Sequence, residues 1–341
     1  MKKEFLLAGL LLLSFTAFTA CKDSDESELV GNWVKVDDFE GVGRAYGVTF
    51  TIGSNVYIST GIASKEYLND LWMMDPNTRA WTQRASIQAD GEEAQKRGYG
   101  VGFSVGNAGY VGLGHTYDET RLGDFWKFDP ASNSWSRVAD FGGSARHSAV
   151  AFVVNNKAYV GTGHDGNHLM DFWRYDSDAD AWTPITSIRG SKRLGASSFV
   201  IGNTAYVVCG ENNGITVNDF WAFNADSETW TEKRKIANVS TENYDDDYNI
   251  ARRYAASFVM AGKAYITCGD SNSGSLRGDT WEYDPITDLW QQLTTFEGVN
   301  RAGALGFTAN GRGYVTTGRG GSFYFDDTYE FLPTAKYDQY D

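Results

Sequence analysis

Apolar and polar residues alternate along this chain in short runs separated by Gly- and Asn-rich turns. One stretch carries the whole pattern. Arg97 to Val105 is Gly-rich and alternates, and Asn107-Ala108 makes a turn. Gly109 to Gly114 is a second apolar run, and a polar loop runs from His115 to Gly123. Asp124-Phe125-Trp126-Lys127-Phe128-Asp129-Pro130 alternates as a half-buried strand does, Asp129 to Asn133 bends, and Trp135 to Val138 is a fourth run. The pattern predicts four short antiparallel strands, which is one propeller blade. It recurs six times. Trp33, Trp81, Trp135, Trp182, Trp230 and Trp290 form one series. Trp72, Trp126, Trp173, Trp221 and Trp281 form another, with Tyr329 in the sixth place. Successive members lie 47 to 60 residues apart, a repeat period rather than a domain boundary.

Other positions recur with them. The first strands open at Arg44, Arg97, Arg146, Arg193, Arg253 and Arg301, and the third at Asp70, Asp124, Asp171, Asp219, Asp279 and Asp327. Second strands carry Tyr57, Tyr110, Tyr159, Tyr206, Tyr265 and Tyr314, and end at Gly61, Gly114, Gly163, Gly210, Gly269 and Gly318. These residues resemble the Kelch repeat. The family pattern has an inner-strand Arg, a Gly pair, an aromatic before Asp-Pro and an outer-strand Trp. Here only the second Gly of each pair is kept. The resemblance covers residues 31–331 and implies an all-β, six-bladed Kelch-type propeller with four antiparallel strands per blade. The sixth unit lacks a fourth-strand Trp, and Asn32-Trp33-Val34-Lys35-Val36 is a fourth strand without predecessors. The N-terminal strand is therefore expected to close the ring, with residues 332–341 as a C-terminal tail.

Composition narrows the partners. The net charge of −14 and the lack of a basic run argue against nucleic acid. Lys2 and Lys3 precede an apolar stretch from Phe5 to Ala20, too short to span a membrane and ending in small residues. Phe18-Thr19-Ala20-Cys21 resembles a bacterial lipobox, which implies a signal peptide over residues 1–20 and lipidation of Cys21. The acidic linker, residues 21–30, is similar to the export tag of surface lipoproteins of Bacteroidetes-type bacteria. The expectation is an outer-membrane lipoprotein, facing the cell surface or the periplasm, monomeric and touching the membrane through its anchor alone. Cys209 and Cys268 occupy the same position in adjacent units, too far apart to bridge, so both are expected to be free.

A single site rarely needs six copies of one residue, so the recurrent Trp, Arg and Asp are read as structural, the Arg and Asp as ion pairs on one face. The residues that do not repeat lie in loops on that face and are the functional candidates. They are His115, Tyr117, Asp118 and Arg121; His164, Asp165, Asn167 and His168; Glu211, Asn212 and Asn213; Asp270 and Asn272; Arg319 and Tyr324; with His147 and Arg252 beside the recurrent arginines. All four histidines fall in two adjacent units, but His164 and His168 are four apart on a loop rather than a helix, so no metal and no cofactor is expected. An insertion over 231–252 holds Asn243-Tyr244-Asp245-Asp246-Asp247-Tyr248-Asn249. It is read as a solvated loop, with Ca²⁺ or a partner as other occupants. Gly102-Phe103-Ser104-Val105-Gly106 sits in a strand, not a nucleophile elbow, and is discarded. Two functions remain. One is a recognition module that holds a glycan or protein on its loop face. The other is implied by resemblance: bacterial six-bladed Kelch proteins include sialic-acid mutarotases, for which Arg252, Arg319 and Glu211 are the candidate groups.

Overall fold

A computed structural model of the chain describes residues 29–64, 66–89, 91–338 and 340. The signal peptide, Cys21 and most of the acidic linker lie outside the described residues. Six four-stranded antiparallel sheets stand around one axis. Their innermost strands are Val48–Ile52, Val101–Val105, Val150–Val154, Ser197–Ile201, Ala256–Met260 and Leu305–Ala309. These begin blades 1 to 6. The only helical turn among the described residues is a 3-10 segment, Asn243–Asp245.

The ring closes through the N-terminus. Val30–Lys35 pairs antiparallel with Thr328–Lys336 as the outer edge of blade 6, with Trp33 opposite Phe331. Blade 6 reaches beyond the expected boundary at 331, because Val30 pairs with Lys336. Trp33 is fully buried, its ring 4.5 Å from Phe331 and 5.1 Å from Phe296, and its indole N–H donates to Thr280 Oγ1.

The two tryptophan series do different jobs. Members of the outer-strand series bury their rings between blades, and several tie neighbouring blades together. The indole N–H of Trp135 donates to Ala85 O, that of Trp182 to Ala139 O and that of Trp230 to Thr186 O. Each such ring removes roughly 150–250 Å² from water, so the core is distributed between blades rather than centred. The third-strand series serves the ion pairs: Trp72, Trp126, Trp173, Trp221 and Trp281 each donate to the Asp two residues earlier.

The recurrent Arg and Asp do pair one to one: Arg44 with Asp70, Arg97 with Asp124, Arg146 with Asp171, Arg193 with Asp219, Arg252 with Asp279 and Arg301 with Asp327. One assignment is corrected. In blade 5 the repeat position belongs to Arg252, not Arg253. Arg252 is fully buried and donates to Asp279, Ile250 O and Cys268 O, so it is no ligand-binding candidate. Two adjacent arginines behind a long insertion hid the register.

The same clamp explains the missing first glycine. Each arginine donates to the carbonyl sixteen residues on: Thr60, Leu113, Thr162, Cys209, Cys268 or Thr317. All six of these residues have φ between 58° and 65°. A left-handed non-Gly residue costs roughly 1–2 kcal/mol. A charge-assisted hydrogen bond contributes about as much, so the guanidinium holds a backbone that glycine would otherwise supply. Cys209 and Cys268 are buried and free.

The insertion is solvated over residues 238–243 and at Asp246, Asp247 and Asn249, but Asp245 and Tyr248 are buried. Tyr248 packs into the core of blades 4 and 5, and its hydroxyl accepts from the Trp290 backbone N–H at 2.7 Å. Asp245 is fully buried and accepts from the Val239 and Ser240 amides. The segment thereby meets one amide of the outer strand of blade 5, Leu289–Leu293, that the sheet leaves unpaired.

Candidate functional site

The residue two after each recurrent arginine turns toward the axis. These are Tyr46, Tyr99, Ser148, Gly195, Tyr254 and Gly303, all with φ between 54° and 66°. Their amides form a closed circle. Tyr46 N–H donates to Gly303 O, Tyr99 to Tyr46, Ser148 to Tyr99, Gly195 to Ser148, Tyr254 to Gly195 and Gly303 to Tyr254, at 2.8 to 3.0 Å. Each blade thus bonds to the one before it at the axis. The side chains follow. Tyr99 stacks on Tyr46 at 4.1 Å, and Tyr254 meets both edge-on at 5.5 and 5.1 Å. Gly195 and Gly303 are glycines because the Tyr254 and Tyr46 rings stand where a Cβ would project.

Over these tyrosines sit the loops that follow each second strand. Their first residues are Ile62, His115, His164, Glu211, Asp270 and Arg319, each bridged to the residue after the recurrent arginine. The result is one connected arc of titratable groups. His115 stacks on Tyr99 at 5.0 Å and meets His147 at 4.9 Å. His147 lies 5.2 Å from His164, and His164 5.1 Å from His168. His168 Nε2 is 3.4 Å from Glu211 Oε1. Glu211 pairs with Arg253, whose Nε donates to Asp270 Oδ1 at 2.6 Å. His164 and His168 therefore do converge, through a backbone bridge rather than a helix.

The electrostatics differ along the arc. Burial drives His147 down to about 3, with His115 and His164 adding to the effect, so its ring is neutral. His164 is lowered for the same reason. Glu211 is held below its usual range against burial. The Gly214 amide and Arg253 occupy its two oxygens, which fixes it as a carboxylate. Burial raises Asp270 in spite of Arg253. His168 Nε2 is buried without a hydrogen-bond partner, the one such atom in the arc. Its nearest polar neighbour is Glu211 Oε1, at ion-pair rather than hydrogen-bond geometry. Among the described residues no three His, Cys, Asp or Glu side chains are grouped to hold a metal.

The sequence candidates divide. His115, His147, His164, Asp270 and Arg319 lie around the axis with His168 and Glu211. Arg319 donates to Gly321 O and lies over Tyr324, with no carboxylate against it among the described residues. Tyr117 is 82% exposed at the rim, touching Tyr67. Asp165 is held in its own turn by Ser144 and the Asn167 amide. Asn212 lies off the axis, in a depression of about 640 Å³ on the side of blade 4 with Arg189 and Lys235. Arg252 is in its ion pair. The sequence reading missed Tyr46, Tyr67, Tyr99, Tyr254 and Arg253. The signal was present: Arg44-Ala45-Tyr46, Arg97-Gly98-Tyr99 and Arg252-Arg253-Tyr254 share one spacing.

Residues 31–163 match the KLHDC2/KLHL20/DRC7 Kelch-repeats domain. The protein is a six-bladed β-propeller, and the Kelch-repeat match covers its first two blades and the start of the third. The solved structure of YjhT superposes with a TM-score of 0.69 over 86% of this chain and 95% of that chain, at 16% identity. At that identity the likeness speaks for the fold. A stretch of 65 residues is 40% identical to N-acetylneuraminate epimerase of Yersinia enterocolitica serotype O:8 / biotype 1B (strain NCTC 13174 / 8081). That stretch is 18% of this chain and 15% of the epimerase.

Proposed function

We propose that the axial cluster binds a carboxylated sugar and exchanges its anomers, on a protein held outside the cytoplasm by lipid on Cys21. The observation that carries the reading is half-buried His168, whose inner Nε2 lies 3.4 Å from the fixed carboxylate of Glu211. With the Nε2–H of His168 turned to Glu211, its Nδ1 accepts the proton of the anomeric hydroxyl as the ring C–O bond breaks. Glu211 stabilises the imidazolium, as an oriented carboxylate does for a catalytic histidine. The same imidazolium protonates the ring oxygen, and closure on the other face of the keto carbon gives the other anomer. Arg319, without an acidic partner among the described residues, takes the sugar carboxylate. The local likeness to N-acetylneuraminate epimerase supports this substrate class.

The test is exchange NMR on N-acetylneuraminate anomers with residues 29–341. The expected result is exchange faster than in buffer, lowered at least tenfold in His168→Ala and Arg319→Ala. Binding of the sugar with no faster exchange would leave a recognition module. One observation favours that second reading. Tyr117, Ile215 and Phe323 are 82%, 66% and 71% exposed at loop tips of the same face, where a glycan or protein partner would dock.

A further inference from the structure

The arc contains a second hydrogen-bonded chain, running down into the axis rather than around it. His147 Nδ1 lies 2.9 Å from Ser148 Oγ, and Ser148 Oγ lies 3.1 Å from the Tyr254 hydroxyl. Tyr254 belongs to blade 5 and Ser148 to blade 3. The phenol spans blade 4 because Gly195 has no side chain: a Cβ there would stand 2.8 Å from the Tyr254 ring. All three positions are fixed by the amide circle, since Ser148, Gly195 and Tyr254 are consecutive members of it.

We propose that Tyr254 and Ser148 are positioning residues that set the tautomer of His147, placing its proton on Nε2. The direction follows from donor counting. Burial holds the Tyr254 phenol protonated, well above its usual range. Its proton needs an acceptor, and Ser148 Oγ is its one hydrogen-bond partner among the described residues. A serine oxygen that accepts from the phenol directs its own hydrogen to His147 Nδ1. Nδ1 is then the acceptor and Nε2 carries the proton. The neighbouring rings are set by other means. The Nδ1–H of His115 donates to Thr116 O. His164 Nδ1 accepts from the Gly166 amide, which puts its proton on Nε2. His147 and His164 thus both present an Nε2–H toward a ligand. Such an array hydrogen-bonds sugar hydroxyls while leaving the carboxylate to arginine. Its use in sugar binding rests on the reading of the axial site proposed above; the tautomer does not.

Two readouts separate the questions. In ¹⁵N-histidine-labelled protein, with resonances assigned from single His→Gln variants, His147 is expected as a neutral Nε2–H ring between pH 6 and pH 8. The groups facing it are His115, His164, His168, Arg121, Tyr99 and, through Ser148, Tyr254, so spectra are compared across that whole range. Tyr254→Phe removes the phenol proton and Ser148→Ala removes the relay. In each, the two His147 nitrogen shifts should move toward one another as the tautomers mix. Ser148→Ala serves where Tyr254→Phe unfolds the axis, and the thermal transition reports which has happened. An Nδ1–H ring in the unaltered protein, or an unmoved tautomer in a folded variant, overturns the proposal. If the tautomer responds while N-acetylneuraminate anomers exchange no faster than in buffer, the relay stands and the proposed reaction fails.

Discussion

Two adjacent arginines show how one residue step separates architecture from chemistry. Arg252 is fully buried and clamps Asp279 with two backbone carbonyls, while Arg253, half a turn of strand away, joins Glu211 to Asp270 at the axis. Removing one partner of a buried pair costs about 3–5 kcal/mol, so Arg252→Ala should lose stability of that order. Arg253→Ala should lose clearly less on thermal or denaturant unfolding, yet weaken sugar exchange. The reverse ranking would mean the blade 5 register is misassigned. His147 gives a pH signature. Its folded value of about 3 lies below the ordinary 6.5. Between those values the unfolded chain holds the extra proton, so stability rises with pH across the window and falls as acid is added. One proton sets a ceiling of ~1.4 kcal/mol per pH unit, reduced by the ring's partial hydration. His147→Gln should flatten the slope of unfolding free energy from pH 6 to pH 4; an unchanged slope would place the titration elsewhere.

At the level of strands and loops, the repeat was plain in the sequence because every blade needs the same things at the same places. A ring must fill the gap between sheets and a guanidinium must hold a left-handed turn, and in five of the six blades an indole caps the carboxylate. What was not legible was any feature present in only some blades. The tyrosines at the axis occur in blades 1, 2 and 5, and read as strand residues until the amide circle brings them together. The insertion looked polar and solvated because its five acidic and amide residues, Asn243, Asp245, Asp246, Asp247 and Asn249, outnumber Tyr244 and Tyr248. Its structure follows instead from the two residues it buries, Asp245 and Tyr248. The Tyr248 hydroxyl is the acceptor for the Trp290 amide. Tyr248→Phe leaves that buried donor unmet, at a cost of about 1–3 kcal/mol. The loss should appear in chemical denaturation with little change in the axial histidine resonances, since the insertion faces the outer edge. A variant as stable as the parent would show that water reaches that amide.

For the whole molecule, the decisive bond is the one that makes the ring a ring. Five blades are built from consecutive strands, and the sixth borrows its outer strand from the other end of the chain. Trp33 is the element that commits this strand: it is enclosed by Phe258, Phe296 and Phe331 and donates to Thr280 in blade 5. Truncation to Ala should therefore cost about 3–5 kcal/mol from packing alone. Deleting residues 33–36 should do more, because it exposes the edge of Thr328–Lys336 and the open face of blade 5 together. The amide circle predicts where the damage travels. Blade 6 contributes Gly303 and blade 1 Tyr46 to that circle, so a ring that opens at the Val30–Lys35 strand loosens the tyrosines under the histidine arc. Size-exclusion chromatography of the deletion variant should show aggregates. Histidine resonances of the milder Trp33→Ala variant should broaden before its strands melt. A monomeric deletion variant with an undiminished, cooperative thermal transition would mean that the axial hydrogen bonds, rather than the borrowed strand, hold the propeller closed.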